Sequence, residues 1–299
     1  MRLPNALLLV LALALATSLA CIWFYPSFQD FLETNSHWNG LRTFTNETGA
    51  VVISSLDNIS ELSDTSVLII IPGINYNDKE LDDLKHYVDN GGNLLLMDDY
   101  NYGNTILSYL GINTRFTGKP LLDPLFCDRN QFMPRITDFR TELNEVGISV
   151  ITLNHATTLS KVVADQAIAW SSNASFLDIN NNGVWEQNEP KGPFVVASVL
   201  TMGKGTIAIV SDPSIVINNM FGKDDNREFL QYLTQNPRVL NSILISDNSH
   251  LVQTTLDKAK IGIKSLRKTL SNPFALLGII ALIFTIVFRY NLKKGETVS

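Results

Sequence analysis

Two short apolar runs, Val67–Ile71 and Asn93–Met97, most constrain what this chain can fold into. Runs that are apolar on both faces are typical of strands buried in a parallel sheet. Between them, Asp78–Val88 carries apolar residues three and four apart, with Asn77 as a helix cap before it and Gly91-Gly92 after it. That spacing predicts a helix that connects two parallel strands.

The same alternation continues on both sides of this unit. A β-branched run at 50–54, a helical turn at 58–62 and a helix at 104–110 complete a βαβαβ pattern, which predicts a doubly wound sheet. Further along, Met202–Gly205 is a hairpin signal with glycine at two positions. The remaining predicted elements are strands at 148–153, 167–177, 194–200, 205–210 and 242–246, and a helix at 226–233. We therefore expect an α/β fold with a doubly wound, partly antiparallel sheet.

Both ends of the chain are strongly apolar. Residues 3–25 carry no charge and are long enough to cross about 30 Å of hydrocarbon, and 273–288 form a second apolar run. These runs predict membrane anchors, although small residues near Ala20 leave a signal segment open for the first. The predicted organisation is an N-terminal anchor or signal segment at 1–25, an α/β domain at 26–252, a basic juxtamembrane helix at 253–270, a transmembrane helix at 271–290 and a cytoplasmic tail at 291–299.

Basic residues predict the orientation of these anchors. Arg2 precedes the first run and Arg289 follows the second, so both termini are expected in the cytoplasm and the domain outside the cell. A basic cluster between Lys258 and Lys268 favours the opposite orientation, and it could also touch lipid headgroups. The prediction is a cell-membrane protein with an extracytoplasmic domain and contacts to membrane lipid.

Charge and cysteine content exclude two further classes. The net charge of −6 argues against a nucleic-acid partner, which would need a basic face. Cys21 lies in the first apolar run and Cys127 is alone in the domain, so the domain has no internal disulfide framework.

Residues 178–189 match an EF-hand-type calcium loop at every ligand position. The predicted ligands are Asp178, Asn180, Asn182, the Val184 carbonyl, Glu186 and Glu189. Gly183 falls where such a loop turns sharply, and Pro190 forbids an exiting helix, which predicts a lone structural calcium loop. Three carboxylates predict modest affinity, suited to a calcium-rich medium. The alternative is an Asn-rich turn, because Asn-Gly favours positive φ.

Several of these landmarks together resemble one family. They are the run from Val67 to Gly73, Gly91–Met97, the loop 178–189 followed by Gly192-Pro193, the Gly203–Gly205 hairpin, and Ser211–Ser214 with Asn218. They are similar to the membrane-anchored, mostly archaeal branch of the domain-of-unknown-function 4350 family, over about residues 40–250. The resemblance implies a class I glutamine-amidotransferase-like fold without an assigned activity.

Working amidotransferases place a nucleophilic cysteine on a sharp strand-to-helix turn. The corresponding stretch here, Met97–Gly103, has neither Cys nor Ser, and Cys127 lies in a loop-like segment. We therefore name no catalytic residue and expect no amidotransferase activity.

Polar residues that follow predicted strands are the candidate ligand site. They are Asp98, Asp99, Asn101, Asp212 and Ser214. Ligands of wound sheets collect at the carboxyl ends of strands, which favours one shared crevice. The alternative is that these residues cap the helices that follow them. His250, beside Asp247, is either a site residue or a strand end.

Three functions fit these observations. The leading interpretation is a membrane-tethered, non-enzymatic domain that binds a protein partner or ligand at the crevice. The second is a hydrolase that uses Asp98, Asp99 or Asp212 with His250 as acid and base. The third is an accessory subunit of a membrane transport complex.

Overall fold

The computed structural model describes residues 3–57, 59, 66–234, 243–271, 273 and 277. The helical turn predicted at 58–62 lies largely outside the described residues. So do the predicted C-terminal helix and tail, except for 271, 273 and 277. The described chain forms two compact units, 28–252 and a second unit that combines 1–27 with 253–299.

Seven α-helices occur in the described residues. They are α1 (Leu3–Phe24), α2 (Arg42–Thr48), α3 (Asp78–Asp89), α4 (Gly103–Tyr109), α5 (Thr141–Glu145), α6 (Asn226–Thr234) and α7 (Thr255–Leu270). The predicted cap of α3 is confirmed: Asn77 Oδ1 accepts from the Glu80 amide, and the Glu80 carboxylate accepts from the Asn77 amide. This reciprocal pair fixes where α3 begins.

Fourteen strands occur in the same residues. They are β1 (Val51–Ile53), β2 (Ser66–Ile70), β3 (Asn93–Met97), β4 (Arg115–Phe116), β5 (Leu121–Leu122), β6 (Arg135–Ile136), β7 (Asp138–Phe139), β8 (Ile151–Thr152), β9 (Leu159–Ser160), β10 (Ala167–Trp170), β11 (Phe176–Leu177), β12 (Val195–Met202), β13 (Gly205–Val210) and β14 (Ile243–Asp247). The strand predicted at 167–177 is two strands, and of the one predicted at 148–153 only β8 forms.

The central sheet has the strand order β1-β14-β2-β3-β13-β12-β10-β7. Its first five strands are mutually parallel, and β12, β10 and β7 continue it in antiparallel pairings. The predicted hairpin is confirmed, because β12 and β13 pair up to Met202 and Gly205. This is a mixed α/β fold around a central sheet.

Alternate side chains of the parallel strands enter two separate cores. Leu95 and Met97 of β3 pack on one face with Phe229 of α6, whereas Leu94 and Leu96 pack on the other face with residues of α3 and α4. Both faces are therefore covered, which explains why the sequence of β3 is apolar throughout. The covered faces leave the ends of the strands as the open part of the sheet.

The second unit corrects the prediction of membrane anchors. A helix needs about 20 consecutive apolar residues to cross a bilayer. Nowhere in the described residues is a helix long and apolar enough for this. For the residues that the structure describes, the predictions of flanking transmembrane helices and of a cell-membrane location are therefore wrong.

Candidate functional site

Four neighbouring parallel strands, β14, β2, β3 and β13, end at the same edge of the sheet. A cavity of about 250 Å³ lies there, which we call the edge cavity. Its lining includes the residues that follow β2, β3 and β13 and a segment from near the start of the unit. The side chains used below are Asp30, Phe31, Asp98, Asp99, Tyr100 and Tyr102.

Asp98 immediately follows β3 and is almost completely buried. Its Oδ1 accepts a hydrogen bond from the Tyr100 amide at 2.8 Å, and its Oδ2 accepts one from the Gly103 amide at 2.7 Å. Gly103 is the first residue of α4, so Asp98 holds the strand-to-helix turn in place. Burial raises the pKa of Asp98 to about 6, although these backbone hydrogen bonds oppose the shift.

Asp212 plays the same part after β13. Its Oδ1 accepts from the Ser214 amide at 2.7 Å, which caps the 3-10 turn Pro213–Val216, and its Oδ2 accepts from the Asn154 amide at 2.6 Å. Burial raises the pKa of Asp212 to about 7, against the effect of these hydrogen bonds. Asp98 and Asp212 therefore cap the helices that follow them, which is the alternative role predicted for these site residues.

Asp99 differs from both neighbours in its hydrogen bonding. Its Oδ1 is screened from solvent and has no hydrogen-bond partner within the described chain. Burial, followed by the negative charges of Asp212 and Asp98, raises the pKa of Asp99 to about 8. Asp99 therefore lines the edge cavity with a carboxyl group of which one oxygen is buried and has no partner in the described chain.

Asp212 and the two other predicted candidates, Asn101 and Ser214, lie outside the lining of the edge cavity. Asn101 is exposed, has a φ of 76° and lies against Gly118. Ser214 is half-buried, and its amide is held by Asp212. The structure therefore brings Asp98 and Asp99 into the cavity, with Asp212 close enough to raise the pKa of Asp99.

A second polar cluster surrounds His250 at the end of β14. His250 Nδ1 lies 2.7 Å from Asp247 Oδ2, and its Nε2 lies 3.2 Å from Glu80 Oε2. Tyr76 stacks on the imidazole and donates its hydroxyl to Asp247 at 3.1 Å. Burial lowers the pKa of His250, but hydrogen bonds and charges from Asp247 and Glu80 outweigh it, so the pKa is raised.

Tyr76 and Glu80 were not among the sequence candidates for this cluster. The capping box that starts α3 was the available signal. It places Glu80 in the first turn of the helix after β2, and therefore at the same edge of the sheet as the residues that follow β14.

Loop 178–189 buries its first and last predicted calcium ligands. The two oxygens of Asp178 accept from the amides of Asn182 and Gly183, at 3.0 and 2.8 Å. Glu189 accepts from the amides of Ile179 and Glu186, at 2.7 and 3.1 Å. The donor types suit calcium, but no group of three or more His, Cys, Asp or Glu side chains in the described residues is arranged to hold a metal ion.

Residues 34–234 match a family described as Domain of unknown function (DUF4350). The chain belongs to the DUF4350 family. The match covers β2, β3, β13 and most of the edge cavity's lining, whereas β14 and His250 lie beyond it. It names neither an archaeal nor a membrane-anchored branch, so the archaeal assignment has no support.

Two solved structures are similar to this DUF4350 chain. The mmIFT52 N-terminal domain has a TM-score of 0.46 and 16% sequence identity, covering 62% of this chain and 84% of that chain. Gan42B, a GH42 β-galactosidase, has a TM-score of 0.32 and 14% identity, covering 58% of this chain and 22% of that chain. No curated protein matches the chain.

The strand-to-helix turn Met97–Gly103, where the sequence lacks a nucleophile, follows β3 in this DUF4350 chain. The turn after β3 presents Asp98 and Asp99 to the edge cavity. Cys127 is half-buried, and its backbone forms an isolated β-bridge with Pro134. Both residues lie outside the segments that line the cavity.

Proposed function

We propose that this DUF4350 chain is a non-enzymatic binding module that takes its ligand in the edge cavity. One observation carries the proposal: the cavity lies where parallel strands end, and its lining residue Asp99 has a buried carboxylate oxygen without a partner in the described chain. Open α/β sheets collect ligands at this edge. We also infer that the wound sheet is of the class I glutamine-amidotransferase type, adapted to binding.

Hydrogen bonding around the site favours binding over catalysis. Both oxygens of Asp98 and of Asp212 accept hydrogen bonds from backbone amides. These carboxylates therefore stabilise the turns that follow their strands. His250 is held between Asp247 and Glu80. General acid–base catalysis needs a titrating group within hydrogen-bond reach of the substrate. Among the described lining residues, Asp99 has a buried carboxylate oxygen without a hydrogen-bond partner.

A hydrolase is the second candidate, and the pKa values favour it. The pKa values of Asp99 and Asp212 are raised to about 8 and about 7, which is the range that suits general acids and bases at neutral pH. In such an enzyme Asp99 would carry the proton. This function would replace the binding module if the chain turns over a substrate and the Asp99→Asn variant loses that turnover while it stays folded.

We propose, separately, that loop 178–189 binds a structural calcium ion. Asp178, Asn180, Asn182, Glu186, Glu189 and the Val184 carbonyl would hold it. Burial of Asp178 and Glu189, at the two ends of the loop, supports this proposal, because the ends of such a loop must both face the ion.

The cavity proposal is tested by filling the cavity. Val252 lines the cavity and is 56% exposed, so Val252→Trp adds bulk at the opening without disturbing a core. Val146→Trp is the matched control, because Val146 is 62% exposed and does not line the cavity. Both variants are made in the full chain, and their thermal unfolding checks that they fold.

Binding is measured by ligand-observed NMR with three probes of equal length: n-butylammonium, n-butanol and butyrate. We expect at least one probe to bind the wild-type chain and the Val146→Trp variant but not the Val252→Trp variant. If no probe binds at millimolar concentration, or if binding survives Val252→Trp, the edge cavity is not a binding site.

A further inference from the structure

We propose that the edge cavity recognises a primary ammonium or guanidinium group whose charge lies against Asp99. This inference rests on the proposed binding function and names the chemical class of its ligand. The cation could belong to a free amine or to a lysine or arginine side chain of a protein partner, because the recognised chemistry is the same.

The charge of the cavity is the first argument. Its lining includes Asp30, Asp98 and Asp99, and no Lys, Arg or His is among its described lining residues. Asp212 adds a fourth carboxyl group near Asp99. Buried carboxylates are costly unless a cation pairs with them, and here the described chain supplies none to the cavity. A cationic ligand would supply that missing charge.

Hydrogen-bonding capacity determines what kind of cation fits. Asp98 and Asp212 use both of their oxygens on backbone amides, and an oxygen of Asp30 accepts from the Asn39 side chain. Asp99 Oδ1 is the carboxylate oxygen among these residues that is buried without a partner in the described chain. Calcium needs six to eight oxygen ligands, whereas an ammonium or guanidinium group can use a single carboxylate oxygen as acceptor.

Three aromatic residues line the same cavity: Phe31, Tyr100 and Tyr102. Aromatic faces attract ammonium and guanidinium groups through the ring quadrupole. Ile71 and Leu251 add apolar surface that suits the hydrocarbon stem of an amine or of a lysine side chain. An anion would find no Lys, Arg or His side chain among the described lining residues.

The volume limits the size of the ligand. About 250 Å³ is below the range of roughly 300 to 1,000 Å³ typical of pockets for drug-sized ligands. A cavity of this volume suits a small cationic group on a short hydrocarbon chain. This agrees with a small amine or with one side chain of a larger partner, and both sources enter the test.

Titration calorimetry on the full chain compares n-butylammonium and n-butylguanidinium with n-butanol and butyrate. Asp99→Asn keeps the shape of the side chain and removes its charge. Asp138→Asn is the control with the same change in net charge, because Asp138 is exposed on β7 and does not line the cavity. We expect the cations to bind the wild type and the control, and to bind Asp99→Asn at least about tenfold more weakly.

Two results would overturn the inference. If butanol or butyrate binds as well as the cations and Val252→Trp removes that binding, the cavity is a binding site but not a cation site. If the cations bind equally to wild type and Asp99→Asn, Asp99 is not their partner. Absence of binding by all four probes would end the proposed function itself, so the two failures are distinguishable.

The source of the cation is resolved with N-acetyl-lysine amide and N-acetyl-arginine amide. Tighter binding of either compound than of n-butylammonium supports a side chain of a protein partner. Tighter binding of n-butylammonium supports a free amine, because the capped backbone then hinders entry. Each of these outcomes retains recognition of a cation by Asp99.

Discussion

His250 stacks on Tyr76 with ring centroids 3.7 Å apart, and both side chains hydrogen-bond the same oxygen, Oδ2 of Asp247. A further hydrogen bond runs from the Gly73 amide to the His250 carbonyl. The chain after β14 is thereby fastened to the segment between β2 and α3. Because residues 251 and 252 line the edge cavity, this fastening also positions part of its wall.

The first prediction concerns the pH dependence of this cluster. The folded-state pKa of His250 is raised above its ordinary value of 6.5, so its interactions stabilise the fold fully below that pH. Their contribution is lost as the pH rises through the folded-state pKa. We expect His250→Gln to cost most stability in mild acid and less in mild alkali, measured by chemical denaturation. His86→Gln is the control, because His86 is exposed on α3; a cost for His250→Gln that grows with pH would contradict the prediction.

Asp98→Ala should destabilise the fold by about 2 kcal/mol, because it leaves the buried turn amides of Tyr100 and Gly103 without an acceptor. Asp98→Asn keeps one acceptor oxygen and should cost less. Urea denaturation of both variants measures the difference. Equal losses would mean that the charge of Asp98 matters and its hydrogen bonds do not.

Asp99→Asn should have the opposite effect in alkali. The pKa of Asp99 is raised to about 8, so ionising this carboxyl group costs stability as the pH rises from about 4 through 8. The variant should match the wild type at about pH 4 and exceed it by more than about 1 kcal/mol at about pH 9. Denaturation of Asp138→Asn in parallel corrects for the change in net charge. A variant less stable than the wild type in alkali would show that the carboxylate is paired in solution.

Cation binding should depend on pH in the same window. The groups that act on Asp99 are Asp212, Asp98 and Asp30, and Tyr100 lies near enough for Asp99 to raise its pKa. A cation pairs with ionised Asp99, so binding of n-butylammonium should strengthen from about pH 6 to about pH 9 and release a proton near neutrality. Calorimetry in buffers of different ionisation enthalpy detects that proton. Affinity that is flat with pH would contradict pairing with Asp99.

The calcium loop gives a prediction about metal addition. Calcium should bind the full chain with a dissociation constant of about 10⁻⁴ to 10⁻³ M and raise its unfolding temperature. The double variant Asp178→Asn and Glu189→Gln should lose both effects. Asp165→Asn with Glu145→Gln is the control, since both residues are exposed and the charge change is the same. If calcium gives no binding heat and does not raise the unfolding temperature of the wild type, the loop is an Asn-Gly turn and not a calcium site.

The parallel part of the fold follows from local pattern, because β2 and β3 are apolar on both faces and α3 carries its own cap. The sequence predicts one strand over 167–177, because the alternation of apolar and polar residues there gives no sign of the turn between β10 and β11. There Ser175 Oγ bonds to the Ser171 hydroxyl at 2.8 Å and to the Ser172 carbonyl at 2.7 Å, which competes with strand pairing.

Position after a strand was enough to find Asp98, Asp99 and Asp212, since parallel strands end at one edge. It could not separate Asp98 from Asp99, because adjacent residues point in different directions and only tertiary contacts decide which carboxylate is engaged. Nor could it find Phe31 or Val252, which reach the cavity from segments distant in sequence. No local pattern marks such residues.

The place of β14 in the sheet has a consequence during synthesis of the chain. Among the described strands it is the last along the chain, yet it lies between β1 and β2, the first two. A nascent chain that lacks it holds β1 and β2 apart, with unpaired backbone on both sides of the gap. The sheet therefore closes only after the ribosome has released residues 243–247, and the lining of the edge cavity is completed in the same late step.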